Sequence, residues 1–127
     1  MSKKLIAING FGRMGRLALR AAWDWPEYDI VHINEVAGDA ETAAHLLKYD
    51  SVHGTWEPEV ITDNGSIRID DKMVSYSQNR LLADTPWANL GVDVVVECTG
   101  QFKSKEALAA YFENGVKKVV VSSPVKD

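Results

Sequence analysis

Three glycines spaced G-x-G-x-x-G, Gly10, Gly12 and Gly15, follow directly on the run KLIAIN. This restricts what the chain can fold into more than any other feature. The run from Lys4 to Asn9 is nearly continuous in apolar residues, the pattern of a strand buried on both faces. From Arg13 to Trp25 the period changes. Leu17, Ala18, Ala21, Ala22 and Trp25 recur at three- and four-residue steps, which predicts a helix stopped by Pro26. The glycines therefore occupy a strand-to-helix turn. There the first permits the tight turn, the second lets a pyrophosphate approach the backbone, and the third lets the helix pack close to the sheet. Unpaired N–H groups and the positive helix end face the same spot.

The rest of the chain continues the alternation. DIVHINE, Asp29 to Glu35, reads as a second strand, and DAETAAHLLKYD, Asp39 to Asp50, as a helix with Ala43, Leu46 and Leu47 among its apolar positions. EVITDNGSIRID alternates apolar and polar residues about Asn64-Gly65, a strong hairpin signal, and KMVSYS adds another strand to that antiparallel excursion. GVDVVVECTG resumes the buried-strand pattern. Ser104 can N-cap the helix KEALAAYFEN, Gly115 can end it as the C′ residue, and KKVVVSS is the next buried strand. This order implies an α/β fold, Rossmann-like and doubly wound, whose mainly parallel sheet carries a small antiparallel hairpin insertion. No repeat, low-complexity stretch or linker divides residues 1–127, which read as one domain.

Glu35 meets a second condition of a dinucleotide site. It lies twenty residues beyond Gly15 at the end of the second strand, where an acidic side chain accepts hydrogen bonds from the adenosine ribose. Its charge would repel a 2′-phosphate, and the following VAGDA offers no arginine to neutralise one, so NAD is favoured over NADP. Bulk properties exclude other classes. A formal net charge of −4 without a Lys/Arg block argues against nucleic acid or an anionic membrane as partner. The single cysteine, Cys98, allows no internal disulfide and no cysteine-based metal cluster. The N-terminal apolar run is too short for a signal peptide or a membrane span, so a cytoplasmic protein is expected.

Together INGFGRMGR, AAHLLKYDSVHG, GVDVVVECTG and GVKKVVVSSPVKD resemble the N-terminal half of the phosphorylating glyceraldehyde-3-phosphate dehydrogenase family, in order and over nearly the whole chain. The resemblance implies a homotetrameric enzyme that oxidises a phosphorylated aldehyde with NAD. A cysteine thioester is formed on the way and is then released by phosphate. Carried over by position, Gly10, Phe11, Gly12 and Gly15 form the cofactor turn, and the backbone of Arg13 and Met14 meets the pyrophosphate. Glu35 meets the ribose. Arg80 lies beside the adenine, Thr99, Gly100 and Phe102 line the adenosine and pyrophosphate side, and Ser122 lies near the nicotinamide. The family's IND is INE here, and Cys98 stands where serine is usual. The nucleophile motif SNASCTTN does not occur in the 127 residues. The chain is therefore expected to be a cofactor domain, incomplete at its C-terminal side and inactive alone. An exposed sheet edge and apolar face on that side favour pairing with another chain.

Other readings compete. INE also occurs in relatives that oxidise erythrose 4-phosphate, and LRAAWDWPEYDIVHINE resembles a bacterial branch associated with arsenate efflux, in which arsenate replaces phosphate. An aspartate-semialdehyde-type dehydrogenase shares the glycine turn but not HLLKYDSVHG. A stand-alone NAD-binding module would bind the cofactor without catalysis. Cys98, ending an apolar strand, reads as structural rather than nucleophilic. His32, His45 and His53 lack metal-ligand spacing, and the four tryptophans read as core and hairpin anchors. Asp70-Asp71-Lys72 reads as a polar turn.

Overall fold

The computed structural model describes residues 4–50, 54–80, 85–100 and 104–122. In chain order these form β1 (Lys4–Asn9), α1 (Arg13–Ala22), β2 (Tyr28–Asn34), α2 (Ala40–Lys48), β3 (Tyr49–Asp50) and β4 (Gly54–Thr55). There follow β5 (Val60–Asp63), β6 (Ser66–Ile69), β7 (Lys72–Ser77), β8 (Val94–Glu97), α3 (Lys105–Glu113) and β9 (Lys118–Val121). Among the described residues, strands β3 and β4 pair with each other in a separate two-stranded sheet. The main sheet runs β5-β6-β7-β2-β1-β8-β9. Its β7-β2-β1-β8-β9 part is parallel, and β5-β6-β7 is antiparallel.

The predicted hairpin forms about Asn64 and Gly65, whose φ values of 52° and 81° are those of a primed turn. It is not a separate excursion, however. The first half of β7 pairs antiparallel with β6, while Ser75, Tyr76 and Ser77 pair parallel with His32, Ile33 and Asn34 of β2. One strand thus joins the antiparallel ribbon to the parallel sheet.

Apolar residues fill both faces. Ile6, Ile8, Ile30 and Ile33 point to one side, where Leu19 of α1 and Ala43, Ala44 and Leu47 of α2 cover them. Ala7 and Val95 point to the other, beneath Trp87, Leu108 and Tyr111. Helices therefore occupy both faces, as the doubly wound expectation requires. Both predicted caps are present: Ser104 accepts from the Ala107 amide at 3.0 Å, and Gly115 follows α3 with positive φ. Asp39, read from sequence as the first residue of its helix, is instead the N-cap of α2 and accepts from the Thr42 amide at 2.9 Å.

Several details of the helical reading need correction. In α1 the buried residues are Gly15 and Leu19, whereas Leu17 and Ala18 are half-buried and Ala21 is exposed. Contact with the preceding turn fixes this rotation, because Gly15 is pressed against the Gly10 carbonyl. The helix also ends at Ala22, ahead of Pro26. Trp25, expected in the core, is 53% exposed and packs at 5.6 Å on Tyr28. Leu46 turns outward, while Leu47 is fully buried. Trp23 and Trp56 meet edge-on at 6.1 Å, and Trp87 alone of the four is fully buried. Beside α1 the outer strands leave an apolar trough of about 510 Å³ containing Val94, Val96 and Val120, with Lys4, Lys117 and Lys118 at its rim.

Rotation of α1 can be checked directly. Leu19→Ala is expected to destabilise the chain by about 2–5 kcal/mol, and Trp25→Ala by less than about 1 kcal/mol. Both are read from urea midpoints at constant slope. Equal losses would contradict the observed phase.

Candidate functional site

Successive connections leave β1 in opposite directions, to β2 on one side and eventually to β8 on the other. At such a reversal the carboxyl ends of the strands open a crevice. Here it is a cleft of about 620 Å³. Asn9, Gly10 and Gly12 form its floor and one wall, Asn34, Glu35 and Val36 a second, and Asn79, Arg80, Cys98 and Thr99 close it.

Gly10 and Gly15 hold the β1–α1 turn in place by having no side chain. Gly10 has φ +94°, and a Cβ there would lie 2.6 Å from the Thr99 nitrogen and 2.7 Å from the Cys98 carbonyl carbon. A Cβ on Gly15 would lie 2.2 Å from the Gly10 oxygen. Gly12 is the N-cap of α1 and makes no side-chain cap hydrogen bond, and a Cβ there would meet open space. The helix start thus faces the cleft with no side chain of its own satisfying the first-turn N–H groups, a setting suited to an anion. Arg13 and Met14 are exposed in that first turn, whereas the Phe11 side chain is buried in the core.

Glu35 leaves the end of β2 and turns toward the glycine turn. Its Oε1 accepts from the Phe11 amide at 2.5 Å and its Oε2 from the Ala37 amide at 2.8 Å. Each oxygen keeps a lone pair for a further donor. On its far side Glu35 shares a crevice of about 200 Å³ with Arg16, a cation that the residues following Glu35 do not supply.

Beneath the cleft lies a buried polar row. A register shift in the β1–β2 pairing sets Asn9 opposite Asn34, while β8 sets Glu97 opposite Asn9 and β7 sets Ser77 opposite Asn34. Asn34 Nδ2 donates to Asn9 Oδ1 at 2.9 Å, and Ser77 Oγ donates to Asn34 Oδ1 at 2.5 Å. Asn9 Nδ2 donates to the Tyr111 hydroxyl at 2.7 Å and to Glu97 Oε1 at 3.3 Å. Tyr111 Oη also donates to Glu97 Oε1, while the Thr99 amide and hydroxyl donate to Glu97 Oε2, the amide at 2.8 Å. At the other end of the row, His32 is held between Ser75 Oγ at 2.6 Å and Ser77 Oγ at 2.8 Å. Burial lowers its pKa to about 4. Cys98 is half-buried in the cleft wall, and burial pushes its thiol up, against the smaller opposing effect of a hydrogen bond with Ser122.

Residues 4–105 match the family described as the NAD-binding domain of glyceraldehyde 3-phosphate dehydrogenase. The chain belongs to that family. It is 55% identical over 125 residues to glyceraldehyde-3-phosphate dehydrogenase 3 of a Nostoc species, covering 98% of this chain and 37% of that protein. Glyceraldehyde-3-phosphate dehydrogenase 1 of Bacillus cereus is 46% identical over 122 residues, covering 96% and 36%. The enzyme of Heyndrickxia coagulans is 42% identical over 121 residues, covering 95% and 36%. The chain thus spans a little over a third of the length of these dehydrogenases. NAD is the cofactor of the family's domain, and the uncapped helix start, the side-chain-free turn and the acid at the end of β2 fit that group.

Of the positions expected to serve the cofactor, the structure brings Gly10, Gly12, Glu35, Arg80 and Thr99 to one cleft. Gly15 and Phe11 lie behind the turn, and Arg13 and Met14 on its exposed shoulder. Gly100, with φ +74°, follows Thr99. Ser122 sits beyond β9, its amide donating to the Glu97 carbonyl at 3.0 Å. Phe102 and His53 lie outside the described residues. Sequence reasoning missed Asn9, Asn34, Glu97 and Tyr111. Their signal was that β1, β2, β7 and β8 all end on a polar residue, Asn, Asn, Ser and Glu. Among the described residues, no helix is long and apolar enough to cross a membrane.

His32 gives a pH prediction. Its folded pKa lies below the unfolded value, so between pH 6.5 and about 4 the unfolded chain binds the extra proton and folding weakens as pH falls. The loss is on the order of 3 kcal/mol over that window. Urea melts from pH 7 to 4.5 are expected to show this slope, and His32→Gln to lack most of it.

Proposed function

We propose that the cleft at the β1–α1 turn holds NAD as the cofactor site of a dehydrogenase that oxidises glyceraldehyde 3-phosphate. The observation that carries this reading is the convergence of an uncapped helix start at Gly12 with Glu35 in a single crevice where the strand order reverses. In this reading the N–H groups of Arg13 and Met14 receive the pyrophosphate. The free lone pairs of Glu35 accept from the adenosine ribose. Arg80 and the Thr99–Gly100 turn border the adenosine side, and Ser122 borders the nicotinamide side, with Phe102 assigned to the adenosine side by its sequence position alone. NAD, when bound, supplies the electron acceptor. The residues of this chain bind and orient it.

Glyceraldehyde 3-phosphate is the substrate by family membership, since the relatives carry it in their names. The same membership supports a homotetramer and a cysteine thioester released by phosphate. No residue of this chain is assigned as that nucleophile: the Cys98 thiol, its pKa raised by burial, is hydrogen-bonded with Ser122 rather than a base. The chain alone is expected to bind cofactor without oxidising aldehyde.

Calorimetric titration of the chain tests this reading. Saturable NAD binding is expected, with NADP weaker by about tenfold or more, because a 2′-phosphate would lie beside the Glu35 carboxylate. Glu35→Ser is expected to narrow the preference, with Arg16 then available as a cation in the neighbouring crevice. Equal affinity of the wild-type chain for both dinucleotides would remove Glu35 from the selecting role, and binding of neither would refute the site. The apolar trough beside β9 supports self-association. Light scattering at high concentration is expected to give a mass above 14.1 kDa, and a strictly monomeric mass would count against pairing.

A further inference from the structure

Glu97 is 1% exposed, at the end of a strand otherwise made of valines. Burying a carboxylate costs several kcal/mol unless its oxygens are fully used. Each oxygen here is supplied with donors. Oε1 accepts from Asn9 and Tyr111, Oε2 accepts from the Thr99 amide and hydroxyl, and all four of these groups donate. A carboxylate is the one common side-chain end that offers two acceptor atoms and no donor. Its two oxygens also lead in different directions. Oε1 faces β1 and α3, which are fixed by the sheet and by the packing of the fully buried Tyr111 against Trp87 at 5.4 Å. Oε2 faces the main chain just past β8, where Thr99 lines the cleft and its nitrogen lies under Gly10.

We infer that Glu97 is a positioning residue of the nucleotide site, clamping the Thr99–Gly100 turn against the glycine turn with Asn9 and Tyr111 as its fixed anchors. This rests on the NAD-binding reading above. Thr99 shapes the cleft, and Glu97 sets where Thr99 stands. The clamp also explains why an acid is retained in a place where valine would satisfy the strand. A hydrocarbon there would leave the Thr99 amide and the buried Asn9 and Tyr111 donors short of an acceptor. Gln fits the volume but turns one NH₂ toward donors.

The test compares NAD binding by calorimetry for the 127-residue chain, Glu97→Gln, Thr99→Val and the double variant, each first shown to fold by its circular dichroism melt. Each single change is expected to weaken binding about tenfold. Because both changes act on the bond between the Thr99 hydroxyl and Oε2, the double variant is expected to be weakened by clearly less than the product of the two. A double variant weakened by the product of the two, about a hundredfold, overturns the clamp, as does Glu97→Gln binding like the wild type.

Hydrogen exchange at the Thr99 amide, measured without ligand, separates this inference from the reading it rests on. Glu97→Gln is expected to speed that exchange about tenfold or more while amides in β2 keep theirs. Unchanged Thr99 exchange overturns the clamp. A wild-type chain that binds no NAD overturns the nucleotide role, whatever the exchange shows. If Glu97→Gln does not fold, Tyr111→Phe removes one donor from Oε1 and carries the same readouts. About threefold weaker binding and faster Thr99 exchange are then expected, and wild-type values of both overturn the clamp.

Discussion

A Cβ at Gly10 would stand 2.6 Å from the Thr99 nitrogen and 2.2 Å separates the Gly10 oxygen from where a Gly15 Cβ would be, so the approach of turn, helix and β8 depends on hydrogen at those two positions. From that approach the rest follows. It sets the rotation of α1, which brings Leu19 rather than Leu17 to the sheet. It seats the helix start at the mouth of the cleft. It also brings the backbone after β8 next to the backbone after β1, where the Cys98 amide donates to the Asn9 carbonyl at 2.7 Å. Glycines are usually credited with making room for a phosphate. Here Gly10 and Gly15 first make room for the protein itself.

The second constraint is electrostatic. Parallel strands end with their polar backbone groups directed into a crevice, and this chain lines the end of the sheet with Ser77, Asn34, Asn9 and Glu97. Each is bonded to its neighbour or to an adjoining element, so the cleft stands on a polar floor with few adjustable parts. Such a floor is costly where incomplete and rigid where complete. His32 shows the same economy, since its ring is kept neutral by burial while both of its nitrogens have hydroxyl partners.

The parts of the fold legible in sequence were those carried by local signals. Buried strands, the Asn64-Gly65 turn, the Ser104 cap and the glycine spacing all read within a few residues. Glu35 was legible because its distance from the turn is fixed by one βαβ unit. The phase of α1 was not, because the small residues Ala18, Ala21 and Ala22 give a stripe that can be drawn at more than one angle, and contact at Gly15 decides between them. Trp25 was misplaced for a related reason: its size argues for burial, but Pro26 turns the chain away at that point. Attachment of β7 to β2 was hidden because a strand that is antiparallel on one side and parallel on the other has no pattern of its own. The Glu97 cluster left only the polar strand ends as a trace; its pairing was out of reach, since the partners are 88 residues away in Asn9 and 14 in Tyr111.

That same separation bears on how the molecule comes into being. Asn9 and Tyr111, bonded through their side chains, lie 102 residues apart. As the chain leaves the ribosome the glycine turn, α1 and Glu35 emerge well before the strand and helix that complete the cleft floor. Contacts of such high sequence separation form only after long loops have closed. The floor of the cleft is accordingly closed late, when Tyr111 of α3 reaches Asn9 and Glu97.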